Sequence, residues 1–444
     1  MYLTENDFPK GFEISEKLHS LIPGGAHTYS KGDDQFPLIS PKAILRGKGA
    51  YVWDVDGHRF LDWTMGLTSV SLGHAYKPVL EAVRKELENG SNFQRPSYIE
   101  LEMAEKMKEI LPEMDMFKFA KNGSTVTTAA VKLARAYTGK KMVGVCAEHP
   151  FFSYDDWFIG TTECKRGIPE EIINLSFKFP YNDVEKTREI FEKYKDQVAA
   201  IILEPVKFDP PDEDYFRKLR ELCDEYNVVL IIDEIVTGFK WGLPGAIRYF
   251  KDLKPDLTTY GKGIANGFSV AVLAGKKEIM ELGGIKKKGM EKVFLVSTTH
   301  GAETHALRAA IKTIEIFQKE KVVDHIWKMG HMIRERIERL ISKHGLDDYI
   351  RLIGYDCWLG MEFRNSKGEI DLSFKTFFLQ EVIRRGILFQ GLFTISYSHG
   401  EKELEFTEQV FDEALSEYEK ALSKGSVEGL LVGEPVKPVF RKYV

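Results

Sequence analysis

Two residues near the middle of the chain carry side chains that could act together on a carbonyl compound. Asp233 ends a short, β-branched apolar run that starts at Val228, which predicts a strand buried on both faces of a parallel sheet. Open α/β sheets bind ligands outside the carboxyl ends of their strands, so this carboxylate is expected at a binding site. Lys262 lies between Gly261 and Gly263, where its amine would be sterically open to attack a carbonyl group.

A lysine amine and a rigidly held acid are the two groups that pyridoxal phosphate (PLP) requires. The lysine forms the Schiff base, and the acid keeps the pyridine nitrogen protonated so that the ring can act as an electron sink. Lys262 and Asp233 fit these two roles. Each residue alone also has a simpler interpretation, because acids after strands often cap helices and most lysines are surface charges.

A phosphate site is predicted further upstream. A short strand is predicted over 117–120, Gly123 and Ser124 lie in a turn of small residues, and residues 127–137 have helical spacing. The amide groups and the positive end of the dipole at the start of a helix bind phosphate, and Gly123 lets the backbone come close. The same turn could be an ordinary helix cap.

The motifs around the first two residues resemble a known family. The segment DEIVTGF, which starts at Asp233, and the segment PDLTTYGKGIANGFSVAVLAG, which contains Lys262, are similar to the class-III, fold-type I PLP-dependent aminotransferases. The similarity extends from about Ile14 to about Leu422, and the branch that it points to contains glutamate-1-semialdehyde aminomutase. It implies that Lys262 and Asp233 are catalytic, and that Gly123 and Ser124 bind the cofactor phosphate.

Four further residues are expected to contact the cofactor, three of them through the resemblance. Phe151 matches an aromatic residue that stacks on the pyridine ring, and Glu204 matches a glutamate beside the pocket. Thr299 matches a threonine that reaches the phosphate bound by a neighbouring subunit. Ile235 lies two residues after Asp233, on the same side of an extended chain, and would press on the opposite face of the ring. Phe151 and Ile235 could also be ordinary core residues, and Glu204 could simply cap the next turn.

The elements that must position these residues alternate between strand and helix. Strands are predicted over 142–147, 198–206 and 228–232, with helices over 127–137 and 212–226. Such alternation requires a mostly parallel sheet with helices on both sides. The predicted fold class is therefore α/β, with a fold-type I PLP-transferase large domain and a smaller α+β domain.

A chain of 444 residues is too long for one core and predicts two lobes. Residues 1–66 are expected to join the small lobe, residues 67–318 to form the large PLP-binding domain, and residues 319–444 to form the C-terminal α+β domain. In that last part a strand is predicted over 358–363 and another strand-like segment over 387–397.

Composition excludes several classes of partner. The chain has 62 basic and 67 acidic residues without a sustained basic run, so no nucleic-acid partner is expected. It has no signal-peptide pattern and no apolar run that could span a bilayer, which predicts a cytoplasmic protein without a membrane partner. The four cysteines lack CxxC spacing, and His149 with Asp155 and Asp156 lacks a third ligand, so no metal site is expected.

The resemblance implies a homodimeric aminotransferase with shared active sites. An amino-acid donor, expected to be glutamate, would pass its amino group to a carbonyl acceptor in two half-reactions. An intramolecular aminomutase, another PLP reaction such as decarboxylation, and a non-catalytic binding protein remain alternatives. The loop over 27–34 lacks an arginine that could hold a carboxylate, which favours an acceptor such as a keto-sugar or another polar biosynthetic intermediate.

Overall fold

The computed structural model describes residues 2–443, and the chain forms two compact units. The first unit takes in the chain up to Tyr76 and then Asp324–Val439, and the second takes in Lys77–Val323 and the segment from Phe440 onwards. The segment from Phe440, which the sequence pattern assigns to the small lobe, therefore lies with the second unit. The predicted domain limits at residues 66 and 318 stay a prediction.

The strands are numbered in chain order: β1 Ile44–Lys48, β2 Tyr51–Asp54, β3 Arg59–Asp62, β4 Met116–Ala120, β5 Met142–Cys146, β6 Ser176–Phe179, β7 Val198–Leu203, β8 Val229–Asp233, β9 Leu257–Tyr260, β10 Ala271–Gly275, β11 Ile350–Tyr355, β12 Trp358–Phe363, β13 Ile387–Leu388 and β14 Leu392–Phe393.

The α-helices are numbered in the same way: α1 Pro9–Leu21, α2 Met65–Thr68, α3 Lys77–Leu87, α4 Tyr98–Ile110, α5 Gly123–Thr138, α6 Asp156–Ile159, α7 Glu170–Ile173, α8 Val184–Tyr194, α9 Tyr215–Glu225, α10 Lys277–Met280, α11 Thr304–Glu320, α12 Val322–Lys343, α13 Leu372–Ile383 and α14 Glu401–Lys424. Short 3₁₀ turns occur at Glu5–Asp7, Tyr29–Lys31, Asp33–Gln35, Lys195–Gln197, Ala246–Arg248, Lys262–Ala265 and Glu281–Gly283.

The second unit is built around a mostly parallel sheet. Its strand order within the described residues is β4-β10-β9-β8-β7-β5-β6, and only the pairings of β10 with β4 and β9 are antiparallel. Every residue of β7, β8, β9 and β10 is buried, because these strands have neighbours on both sides within the sheet, and β7 and β10 carry no polar side chain. The predicted α/β fold class with a parallel sheet between helices is confirmed.

Strand register decides which side chains meet at the carboxyl end of this sheet. In the parallel pairing of β8 with β9, Asp233 lies opposite Thr259. β9 ends at Tyr260, so the turn that starts at Lys262 follows immediately after the partner strand of Asp233. The sheet therefore brings the end of β8 and the start of this turn to the same edge.

The first unit contains two smaller sheets. The first has the order β1-β2-β3-β13, with a parallel pair between β3 and β13, and the second has the order β11-β12-β14 with antiparallel pairs. β2 and β3 form a hairpin, and Gly57 in its turn has a φ of 97°, which favours glycine. These sheets and their helices form the smaller α+β part of the fold.

One predicted element of this unit is wrong. The apolar segment over 387–397 predicts one long strand, but the structure has two separate two-residue strands, β13 and β14. Gly391 lies between them with a φ of 89°, a left-handed conformation that ends an extended strand. β13 pairs with β3 whereas β14 pairs with β12, so the segment serves two different sheets.

Among the helices formed by residues 2–443, none combines the length and the apolar character that a membrane span requires.

Candidate active site

The carboxylate of Asp233 is held rigidly at the end of β8. The side chain is 3% exposed, and its Oδ1 accepts hydrogen bonds from Thr259 Oγ1 at 2.9 Å and from the backbone N–H of Ile235 at 2.9 Å. The Thr259 bond follows from strand register, because the two residues are partners across β8 and β9. Two donors on one oxygen fix the orientation of the carboxyl group.

Burial dominates the acidity of this carboxyl group. Loss of hydration, and second the negative charge of Glu204, raise the pKa of Asp233 to about 7. The hydrogen bonds from Ile235 and Thr259 and the charge of Lys262 act in the opposite direction. Asp233 can therefore hold or release a proton near neutral pH, which suits a group that shares a proton with a ring nitrogen.

Lys262 begins a 3₁₀ turn, and its backbone is in an unusual conformation. Its φ of 40° lies in the left-handed region, which non-glycine residues adopt only where the surrounding structure enforces it. Burial lowers the pKa of the amine, and the positive charge of Lys207 lowers it further. Glu204 and Asp233 raise this pKa by a smaller amount. A lowered pKa favours the neutral amine, which is the nucleophilic and basic form.

Glu204 follows β7 and has an incompletely satisfied side chain. It is 2% exposed, its Oε1 lies 3.5 Å from Lys207 Nζ, and its Oε2 has no hydrogen-bond partner within residues 2–443. The backbone N–H of Glu204 donates to His149 Nδ1 at 3.0 Å. Burial lowers the pKa of His149, which favours the neutral ring that can accept this hydrogen bond at Nδ1. A buried carboxylate oxygen without a donor is a place where a ligand can donate a hydrogen bond.

The predicted phosphate turn lies at the start of a long helix. Asn122 caps α5, its side-chain oxygen accepting from the backbone N–H of Thr125 at 3.0 Å, and the first turn carries no acidic residue. Ser124 is buried, and its hydroxyl oxygen accepts from the backbone N–H of Tyr154 at 3.1 Å. The first amide groups of α5 have no carbonyl partner within the helix, which suits an anion.

Ile235 connects this turn to the lysine turn. A methyl group built on Gly123 would lie 2.5 Å from Cδ1 of Ile235, so no larger residue fits at Gly123 unless Ile235 moves. A methyl group built on Gly261, next to Lys262, would lie 3.5 Å from Cγ2 of the same side chain. The structure therefore brings Gly123, Ile235 and Lys262 into one neighbourhood, together with Asp233.

The segment that contains Phe151 and Phe152 is hydrogen-bonded to α5. The carbonyl of Phe152 accepts from Thr127 Oγ1 at 2.8 Å, and Phe152 is buried. Phe151 is 46% exposed; its ring lies parallel to Phe440 at 6.3 Å and edge-on to Phe158 at 5.7 Å. Its predicted stacking on the cofactor ring stays a prediction.

Thr299 lies in an exposed segment ahead of α11. Its carbonyl accepts from Asn92 Nδ2 at 3.1 Å. Nearby, Glu303 pairs with Lys121 at 2.6 Å and accepts from the backbone N–H of Gly301, which ties the segment to the chain before α5. The proposed contact of Thr299 with a neighbouring subunit stays a prediction.

Sequence reasoning missed two groups that take part in this cluster. Thr259 could have been found, because the parallel alignment of two buried strands places it beside Asp233. The proximity of Lys207 to Glu204 was harder to predict. The two residues are three positions apart outside a helix, where spacing alone does not fix the direction of the lysine side chain. The sequence suggests no role for His149 other than metal binding, whereas the structure shows it accepting a backbone hydrogen bond.

Comparison with known proteins agrees with this geometry. The family profile described as Aminotransferase class-III matches residues 29–399. A 3-aminobutyryl-CoA aminotransferase from Cloacimonas acidaminovorans is 29% identical over 422 residues, which cover 93% of this chain and 98% of that protein. A glutamate-1-semialdehyde 2,1-aminomutase from Thermus thermophilus is 31% identical, with 89% of this chain and 96% of that protein covered. The PLP internal aldimine form of the FumI protein from Sphingopyxis sp. MTA144 has a similar fold, with a TM-score of 0.85 at 22% identity, covering 95% and 99% of the two chains.

Proposed function

As a member of the class-III aminotransferases, this chain is a PLP-dependent enzyme, and we propose that it transfers an amino group from an amino-acid donor to a carbonyl acceptor. Glutamate is the proposed donor. The observation that carries the proposal is the cluster of Asp233, Ile235 and Lys262 at the carboxyl end of the sheet, next to the start of α5.

The residues of this cluster fit PLP. The amine of Lys262 suits a bond to the cofactor aldehyde, Asp233 suits the ring nitrogen, and the capped start of α5 suits the phosphate. Ile235 leaves no room for a side chain at position 123, and the glycine found there lets the backbone come close to the phosphate group. Glu204 Oε2, which lacks a hydrogen-bond donor in the described part of the chain, can accept one from a bound ligand.

Bound PLP supplies an electron sink for the negative charge that develops at the substrate carbon. Asp233 holds a proton on the ring nitrogen, and its two fixed hydrogen bonds keep the carboxylate aimed in one direction. With the cofactor bound, the amine of Lys262 would be the base that moves a proton between the substrate carbon and C4′ of the cofactor. Its lowered pKa favours the neutral amine that this transfer needs.

An intramolecular aminomutase is the second candidate. Its support is the 31% identity to the aminomutase from Thermus thermophilus over most of both chains. An aminomutase needs no separate donor, whereas a transaminase stops without one. For the transaminase, we propose a polar ketone such as a keto-sugar as acceptor, because the loop over 27–34 offers no arginine to a carboxylate. A 3-oxoacyl thioester belongs in the test panel because a relative is a 3-aminobutyryl-CoA aminotransferase.

The proposed assembly is a cytoplasmic homodimer with shared active sites. Phe93, Tyr98 and Phe294 are large apolar side chains that are exposed on the second unit, and exposed groups of this kind are typical of protein interfaces. Thr299 is exposed in the same unit and is available to a second subunit. The four cysteines are present as thiols, which fits a reducing compartment.

The first test is the visible absorption spectrum of the PLP-loaded protein before and after glutamate is added, with Lys262→Ala measured in parallel. We expect a yellow wild type that loses its colour with glutamate, because the amino group moves to the cofactor. Lys262→Ala should lack the resting band, since it has no amine at this position.

Each other outcome has a definite meaning. A wild type that stays colourless with added PLP would refute the cofactor site. A yellow protein that ignores glutamate but converts glutamate-1-semialdehyde without any donor would replace the transaminase with the aminomutase. Turnover of amino-acid semialdehydes together with failure of every keto-sugar and polyol ketone would reject the proposed acceptor class.

A further inference from the structure

The chain segment from Phe440 onwards packs against aromatic residues in and just before α6. The ring of Phe440 lies within 15° of parallel to the ring of Phe151, with the two centroids 6.3 Å apart. The Phe440 ring also meets Phe158 of α6 edge-on at 6.2 Å, and Phe158 meets Phe151 edge-on at 5.7 Å. All three distances lie in the range of favourable aromatic pairs, so the three rings form one cluster.

The position of Phe440 is fixed by contacts that do not involve Phe151. The thiol of Cys164 donates a hydrogen bond to the backbone carbonyl of Arg441, the next residue, with Sγ and O 3.4 Å apart. Phe158, the second ring that Phe440 touches, is only 3% exposed and belongs to the core of the second unit. Phe440 is therefore a firm support for any ring that packs on it.

Phe151 is the exposed member of the cluster. It is 46% exposed, whereas Phe152 beside it is buried, and the carbonyl of Phe152 accepts from Thr127 of α5 at 2.8 Å. A half-exposed side chain keeps rotamer freedom that is lost when it binds a ligand. Because the Phe440 ring lies almost parallel to the Phe151 ring, this contact restricts the plane in which the Phe151 ring can lie.

We propose that Phe440 is a positioning residue, which holds the ring of Phe151 in the plane that stacks on the pyridine ring of PLP. A planar ring has two faces; Phe440 packs on one of them, which leaves the other to the cofactor. Holding the ring in place before the cofactor arrives lowers the entropic cost of binding. This inference rests on the proposed function and on the predicted contact of Phe151 with the cofactor.

PLP binding to the cofactor-free protein tests this proposal without a measurement of turnover. In Phe440→Ala we expect the dissociation constant of PLP, titrated by visible absorbance, to rise by about 2- to 10-fold, the range that corresponds to loss of one aromatic pair. The circular dichroism of the bound cofactor at saturation should fall, because a less restricted Phe151 ring fixes the pyridine ring less firmly. Phe440→Leu fills more of the space without a flat ring and should give the same result, which keeps the test decisive if Phe440→Ala folds poorly.

Further variants make the test specific to the ring contact. Phe151→Ala should weaken PLP binding, and a double variant that adds Phe440→Ala should bind PLP no more weakly, because Phe440 acts only through the Phe151 ring. Phe440→Tyr keeps the ring and should keep the affinity of the wild type. Tyr443→Ala is the matched control: it removes an aromatic residue of the same segment that is 75% exposed, and it should behave like the wild type.

The outcomes separate this proposal from the proposed function. If the wild type does not bind PLP, the proposed function fails. If the wild type binds PLP, a Phe440→Leu variant with unchanged affinity and unchanged dichroism overturns the proposal. Losses of affinity that add up in the double variant also overturn it, since Phe440 would then act by a route that does not include Phe151. Full PLP affinity in Phe151→Ala would exclude the stacking on which the proposal depends.

Discussion

At the scale of single residues, Asp233 couples the site to pH. Its pKa is raised to about 7 by burial and by Glu204, against 3.8 for an exposed aspartate. In the cofactor-free protein the folded state therefore keeps this proton over a range in which the unfolded state has already lost it. The stabilisation is complete below pH 4 and disappears as the pH rises through 7.

Asp233→Asn should remove this dependence. We expect the unfolding free energy of the cofactor-free wild type, relative to the variant, to fall by about 1.4 kcal/mol per pH unit between pH 4 and pH 7 and then to level off. Denaturant unfolding midpoints of both proteins at several pH values measure the difference. A difference that is constant over this range would mean that the carboxyl group is already ionised, contrary to its burial.

The two residues that motivate the chemistry could be predicted because the chain around them leaves little choice. A continuous apolar run forces Asp233 to a strand end, and two glycines isolate Lys262 in a turn. The weak pairing of Lys207 with Glu204 could not be predicted, because it forms across irregular backbone where spacing alone does not set side-chain direction.

At the scale of elements, the start of α5 has two roles, the capping of the helix and the proposed binding of phosphate. Substitution of Asn122 can separate them. Asn122 caps the helix through Thr125, and it also lies beside the proposed phosphate position. Aspartate caps helices as well as asparagine does, whereas alanine does not. A carboxylate at this position would keep the helix but repel a phosphate.

We therefore expect Asn122→Asp to keep the stability of the cofactor-free protein within about 0.5 kcal/mol while weakening PLP binding by about 10-fold or more. Asn122→Ala should lower stability by about 1 kcal/mol through loss of the cap. Unfolding midpoints and PLP titration by visible absorbance give the two quantities. If Asn122→Asp bound PLP with unchanged affinity, the phosphate would not bind at the start of α5.

Helices and strands were predicted correctly where the local sequence pattern agreed with the pairing of distant segments. Strand β12 coincides with the predicted strand over 358–363. Helix α5 starts earlier than its apolar periodicity indicates, because the Asn122 cap defines its first turn. The segment over 387–397 was mispredicted because its division between two sheets depends on strands that are distant in sequence.

At the scale of the whole molecule, the shared-site dimer makes a prediction that a monomeric enzyme would not fulfil. Thr299→Asp should place a carboxylate where the proposed partner phosphate binds, and Lys262→Ala should remove the reactive amine. Each variant alone should be nearly inactive. In a mixed dimer, however, one of the two sites would combine an intact Lys262 from one subunit with an intact Thr299 from the other.

Unfolding and refolding the two variants together should therefore restore about a quarter of the wild-type activity, since half of the dimers are mixed and each has one complete site. Refolding each variant separately is the control. No recovery from the mixture, with dimers present by size-exclusion chromatography, would show that each subunit holds a complete site by itself.

The division into two units could be predicted from the chain length and from the change in sequence pattern after α11. The assignment of the segment from Phe440 to the second unit could not be predicted. Phe440 packs against Phe151 and Phe158, a contact between aromatic residues that are distant in sequence. Local spacing contains no information about such a pairing.

The first unit is assembled from both sides of the second in sequence, and this has a consequence for synthesis on the ribosome. Leu61 of β3 pairs with Ile387 of β13, so the edge of β3 stays without its partner while Lys77–Val323, the main part of the second unit, emerges. At about 5–20 residues per second the wait lasts roughly 15–65 s, long enough for the second unit to fold first. During that time the nascent chain presents an unpaired strand edge to chaperones and to other nascent chains.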